Sequence, residues 1–105
     1  SNISKVEQLG INPSTLEKFG AVSEETAKEM VIGLKQKSKS DLCLAITGIA
    51  GPDGGSPEKP VGLVYISLLC QDHLQCNSYR LIGTRERIRR QAVLFALNMI
   101  RNILN

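Results

Sequence analysis

Thr47, Gly48, Gly51, Gly54 and Gly55 lie in a stretch, Ile46 to Gly62, that holds five of the chain's nine glycines and three of its four prolines. Glycines let backbone amides approach a ligand where a side chain would obstruct them, as an anion or carbonyl-oxygen cradle requires. The Thr47 hydroxyl and the Gly48 amide are therefore candidates for substrate or oxyanion contacts, with Gly51 beside them. The competing reading is a tight turn network serving only the fold, and the residue types admit both. The spacing fits neither G-x-x-x-x-G-K-[ST] nor G-x-G-x-x-G, so the standard nucleotide loops gain no support.

Other reactive side chains are scattered. Arg85, in Gly83-Thr84-Arg85-Glu86, falls at a helix start, where the dipole would help it hold a phosphate; the plain alternative is a solvated helix arginine. Lys59, between Glu58 and Pro60, has a phosphate, a carboxylate or a surface salt bridge open to it. Ser56-Pro57-Glu58-Lys59 formally matches S-x-x-K, yet that motif needs a helix and Pro60 would stop one, so the match reads as coincidence. His73 is the single histidine and follows Asp72 in a turn, with no serine elbow to serve. Cys43, Cys70 and Cys76 lack C-x-x-C spacing and read as buried free thiols; with one histidine they leave a metal without a ligand set. Lys5, judged by its residues alone, is an exposed helix lysine.

The elements that must position these groups follow from caps and periodicity. Asn2 to Leu9 reads as the end of a helix stopped by Gly10. Asn12-Pro13 opens a short helix with Leu16 and Phe19 inward before Gly20. Ser23 caps a longer one, acidic at Glu24 and Glu25, apolar at Ala27, Met30, Val31 and Leu34, and basic at Lys35, Lys37 and Lys39, a solvated last turn. Leu42 to Ile46 and Leu63 to Cys70 read as interior strands. The second forms an antiparallel hairpin with His73 to Ile82 across Gln71-Asp72. Thr84 caps a final helix whose stripe is Ile88, Ala92, Phe95, Met99 and Ile103. The connection between the first two strands, about fourteen residues, is long for a compact domain; such loops are functional or disordered, and its prolines argue for order. Three strands written for two covered faces come with too few helices, so part of the domain is expected to be missing. Residues preceding Ser1 or another chain would complete it, and the start inside a helical segment favours the first.

With 105 residues the chain is one small domain at most. A net charge of +3, 42% hydrophobic and 22% charged residues require no polyanion partner. Arg80, Arg85, Arg87, Arg89 and Arg90 are dense but lack interleaved aromatics, which leaves a nucleic-acid binder as a minor reading with salt-sensitive binding as its signature. No apolar run approaches a membrane span and no basic-then-apolar leader opens the chain, so no membrane partner and a cytoplasmic, reducing location are expected.

Longer motifs carry more. Gly20-Ala21-Val22-Ser23-Glu24-Glu25-Thr26-Ala27, Ile46-Thr47-Gly48-Ile49-Ala50-Gly51-Pro52 with Gly54-Gly55, and Pro57-Glu58-Lys59-Pro60-Val61-Gly62 closely resemble the C-terminal domain family of competence/damage-inducible protein CinA over nearly the whole chain. The resemblance implies a three-layer α/β/α domain with a mixed sheet, of which residues 1–105 are a C-terminal portion. It also implies a homodimer, no cofactor and no metal. The family includes nicotinamide-nucleotide amidases, which convert nicotinamide mononucleotide to nicotinic acid mononucleotide and ammonia with a serine nucleophile and a lysine base. Ser1-Asn2-Ile3-Ser4-Lys5 matches the family's Tyr-Ser-Asn-x-x-Lys segment without its tyrosine, so Lys5 takes the place of the catalytic lysine and Asn2 of a substrate contact. A buried lysine loses proton affinity by desolvation and can then accept the serine proton. The serine, in an Ala-Glu-Ser-Cys-Thr-Gly-Gly stretch, has no match here, so residues 1–105 alone are expected to be inactive. The alternative is a non-catalytic nucleotide-binding or regulatory module.

Overall fold

The structure, a computed structural model, describes residues 10–105; Asn2, Lys5 and the expected helix end at 2–9 lie outside them. Helix α1 spans Pro13–Phe19, opened by Asn12, whose side-chain oxygen accepts from the Ser14 amide at 3.0 Å. The Glu29 carboxylate accepts from the Asn12 amide at 2.7 Å and from the Thr15 hydroxyl. That polar anchor turns Thr15 inward. Leu16 is consequently only half-buried and Phe19 stays 37% exposed, a correction to the inward pair expected from spacing.

Helix α2, Glu24–Ser38, starts at Ser23, whose hydroxyl accepts from the Thr26 amide at 3.1 Å and donates to the Gly20 carbonyl at 3.0 Å. Lys39 ends it in the left-handed region. Lys35 is not simply solvated: its ammonium donates to the Gln71 carbonyl at 2.8 Å, tying the helix end to a strand turn.

Strands β1 (Leu42–Gly48), β2 (Leu63–Cys70) and β3 (His73–Arg80) form one sheet in the order β1-β2-β3. Every pairing among the described residues is antiparallel; the parallel partner of a mixed sheet is not among them. The Gln71-Asp72 hairpin forms as expected, with Cys70 opposite His73. β1 runs two residues further than its apolar run because Thr47 and Gly48 still find partners in Tyr65 and Val64. β3 stops at Arg80, short of Ile82: β2 begins at Leu63, so beyond the bond from the Leu81 amide to the Gly62 carbonyl no ladder remains. Ile82 is 84% exposed.

Helix α3, Arg85–Leu104, is capped by Thr84, whose hydroxyl accepts from the Arg87 amide. Its inner stripe is Ile88, Ala92, Ala96 and Met99, packed on Val64, Ile66 and Leu68. Phe95 does not join that stripe. It lies at the flank, stacked on Tyr79 with ring centroids 4.5 Å apart, while the smaller Ala96 takes the place nearest the sheet.

The opposite face of the sheet carries α2, where Val31 meets Cys43, Ala45 and Leu69. The result is an α/β/α sandwich whose central strand β2 is covered on both sides. The shortfall in covering helix falls on β1: Leu42, Leu44 and Ile46, on its α3 side, are only half-buried. No helix among the described residues is long and apolar enough to cross a membrane.

Candidate functional site

β1 delivers its last two residues to opposite faces, because side chains alternate along a strand. Thr47 follows Cys43 and Ala45 toward α2, and its hydroxyl donates to the Ala21 carbonyl at 2.8 Å. Gly48 follows Ile46 toward α3 and lines a cleft of about 150 Å³ at the end of the sheet. The cleft's walls are apolar, from Ile46, Ala50, Val64, Ile88 and Ala92, and two guanidinium side chains, Arg85 and Arg89, complete it. A side chain at position 48 would not fit: a Cβ there would sit 2.9 Å from the Val64 methyl and 3.0 Å from the Leu63 carbonyl oxygen.

The loop that follows is tied down at both ends. The Ile49 amide donates to the Leu63 carbonyl at 3.0 Å and the Gly62 amide returns to the Ile49 carbonyl at 2.7 Å. Arg85 donates through Nη1 to the Gly51 carbonyl at 3.1 Å, fastening the loop to the first turn of α3. On the other side of the sheet Lys59 donates its ammonium protons to the Phe19 carbonyl at the end of α1. Ser56 and Lys59 form a turn closed by the Lys59 amide on Ser56 Oγ at 3.0 Å, so S-x-x-K is here a loop staple, and the Lys59 ammonium is spent on a main-chain carbonyl.

Gly48, Gly51 and Arg85 are thus gathered on the α3 face, whereas the Thr47 hydroxyl stands on the α2 face, and Asn2 and Lys5 lie outside the described residues. Arg89 went unrecognised as a cleft residue in the sequence. Its signal was present, since it lies four residues after Arg85 and flanks the inward Ile88 and Ala92. The Lys59 tie had no such signal, spanning 40 residues.

Elsewhere, His73 is exposed on the hairpin, Cys43 is buried, and Cys70 and Cys76 are half-buried free thiols. Burial pushes the Cys76 thiol up to about 11, reinforced by the nearby Glu24 and Glu25 carboxylates and opposed by Lys28. It is therefore protonated, and a poor nucleophile, at neutral pH.

What fold and cleft define is an α/β/α domain with a glycine-lined, arginine-flanked cleft where β1 ends, suited to an anionic ligand with an apolar part. The sequence pattern of the CinA C-terminal domain matches residues 1–104, and the chain belongs to that family. It is 50% identical over 101 residues to a putative competence-damage inducible protein of Clostridium kluyveri, covering 96% of this chain and 25% of that one. A CinA-like protein of Kosmotoga olearia is 51% identical over 104 residues, again 25% of its length, so the chain spans about a quarter of these curated relatives. The crystal structure of competence/damage inducible protein CihA from Agrobacterium tumefaciens superposes with a TM-score of 0.95 at 38% identity, covering 100% of this chain and 65% of that one. A CinA superfamily protein from Escherichia coli gives 0.93 at 30% identity, with coverage of 98% and 60%.

Proposed function

We propose that this chain is the C-terminal portion of a nicotinamide-nucleotide amidase domain, which hydrolyses the carboxamide of nicotinamide mononucleotide. The observation that carries the reading is the meeting of Gly48, Gly51 and Arg85 at the end of β1 in a member of this family. In this reading the serine of the family's upstream motif, which residues 1–105 do not contain, attacks the carboxamide carbon. Lys5 accepts the serine proton and passes it to the departing nitrogen, which leaves as ammonia. Water then cleaves the acyl-serine, giving nicotinic acid mononucleotide and the free serine. The Gly48 region serves the developing oxyanion or the substrate, Asn2 and Gly51 contact the substrate, and Arg85 holds its phosphate, while the Thr47 hydroxyl, bonded to the Ala21 carbonyl on the α2 face, holds the end of β1 in place. No cofactor takes part. A homodimer fits the resemblance.

Ammonia release from nicotinamide mononucleotide tests this, comparing residues 1–105 with the same chain preceded by the family's serine segment. Activity is expected only in the extended chain, and Lys5→Ala there should lower kcat by on the order of a thousandfold or more. Binding without turnover in the extended chain would instead establish a nucleotide-binding or regulatory module. Turnover by residues 1–105 alone would overturn the serine assignment.

A further inference from the structure

Lys59 is moored on one side of the sheet, yet the loop it belongs to delivers Gly51 to the other. Its anchor is firm. The Phe19 carbonyl that takes the Lys59 ammonium opens a run of three successive occupied carbonyls: that of Gly20 accepts from the Thr26 hydroxyl at 2.6 Å and from Ser23 at 3.0 Å, and that of Ala21 from Thr47 at 2.8 Å. From Lys59 the contacts run inward. Its amide bonds Ser56 Oγ at 3.0 Å and its carbonyl takes the Ser56 amide at 2.9 Å, so residues 56–59 move as one turn. Two residues on stands Val61, and the outgoing limb of the loop is pressed against it: a Cβ at Gly51 would lie 2.6 Å from a Val61 methyl, and one at Gly55 2.7 Å from the Val61 nitrogen. Gly51 is buried there, and its carbonyl holds Arg85. Packing this close passes a displacement on, because it leaves no free space to absorb it.

We propose that Lys59 is a positioning residue for the site: through Val61 and Gly51 it sets the place of the Arg85 guanidinium from the opposite side of the sheet. Without its ammonium the 56–59 turn would keep its internal bonds but lose its register on the end of α1. Val61 would then no longer hold Gly51 at one height, and the carbonyl that fixes Arg85 would move with it. Lys59 acts through Arg85 rather than on reacting atoms, so its contribution is to binding. The choice of ligand rests on the amidase reading, but the coupling of Lys59 to Arg85 requires neither ligand nor turnover.

The test uses the chain carrying the family's serine segment. In the ligand-free protein the Arg85 Nε–H resonance, assigned by its loss in Arg85→Gln, should shift or broaden in Lys59→Met, which keeps an unbranched apolar stem without the ammonium. Lys59→Arg should bring it back toward the parent position, and Ser56→Ala, which loosens the same turn from within, should move it in the same sense as Lys59→Met. A resonance unmoved by Lys59→Met and by Ser56→Ala overturns the proposal. Calorimetric titration with nicotinamide mononucleotide should show Lys59→Met weakening binding by about threefold to thirtyfold, with little further loss when it is added to Arg85→Gln, because both changes act on one chain of contacts. No loss, or losses that multiply as if independent, overturns it. In turnover, KM should rise by the same factor with kcat unchanged. The two proposals fail separately: a moved resonance and weakened binding without ammonia release would sink the amidase reading and keep the role of Lys59. Ammonia release with KM untouched by Lys59→Met would sink that role and keep the amidase.

Discussion

Cys76 takes its chemistry from its neighbours rather than from its element. It stands on β3 opposite Ser67, a fully buried residue whose hydroxyl donates to the Ala27 carbonyl at 2.6 Å, and the acidic start of α2 lies close by. Burial and the two carboxylates hold its proton, raising the thiol from 9.0 to about 11. The folded state therefore binds this proton more tightly than the unfolded state does. The stability it contributes is complete below pH 9 and is lost as pH rises from 9 through 11. At pH 8 the native chain should carry about a hundredfold less Cys76 thiolate than the unfolded chain. Iodoacetamide labelling of the Cys76 peptide, with and without urea, should show a correspondingly slow native rate; equal rates would refute the assignment. A Cys76→Ser variant should lose less melting temperature between pH 9 and pH 11 than the parent.

At the scale of elements, Gly62 is where two connections meet. Its φ is +96°, its carbonyl receives the Leu81 amide, and a Cβ would lie 2.0 Å from the Leu81 oxygen. Gly62→Ala should cost roughly 3 kcal/mol, from overpacking against backbone and from left-handed strain, seen as a lower urea midpoint. An unchanged midpoint would mean that the β2 and β3 ends repack freely. Elements whose signals are local were legible in the sequence: Asn12-Pro13, Ser23 and Thr84 all cap the helices they announce, and β2 spans the apolar run Leu63–Cys70. Orientation was less legible. Phe19 and Phe95 sit at helix edges because Glu29 draws Thr15 inward and because α3 approaches the sheet through alanines, facts that exist only once the layers have met. Of the candidate site, the glycine loop and Arg85 could be read from composition and position. The separation of Thr47 from Gly48 by the strand pleat is ordinary alternation, but it acquires meaning only when each face has its helix.

For the molecule as a whole, the two helical layers leave the outer side of α3 unusually apolar, with Val93, Leu94, Leu97 and Leu104 between 51% and 69% exposed. None of these supports the sheet. Leu97→Lys should change folding stability by no more than ~0.5 kcal/mol while reducing the concentration dependence of light scattering; a large loss of stability would show that this flank is structural. The loop unites the layers differently. Thr47, Lys59 and Arg85 reach the carbonyls of Ala21, Phe19 and Gly51, so that one segment is moored to α1, to the α1–α2 connection and to α3. In each mooring the side chain gives the proton and the main chain receives it. Any residue supplies a carbonyl, so these bonds do not read the identities of the three receivers. The tolerance to replacement is one-sided: drift at positions 19 and 21 leaves these moorings intact, and among side chains the risk of loosening the loop from the helices falls on the three donors.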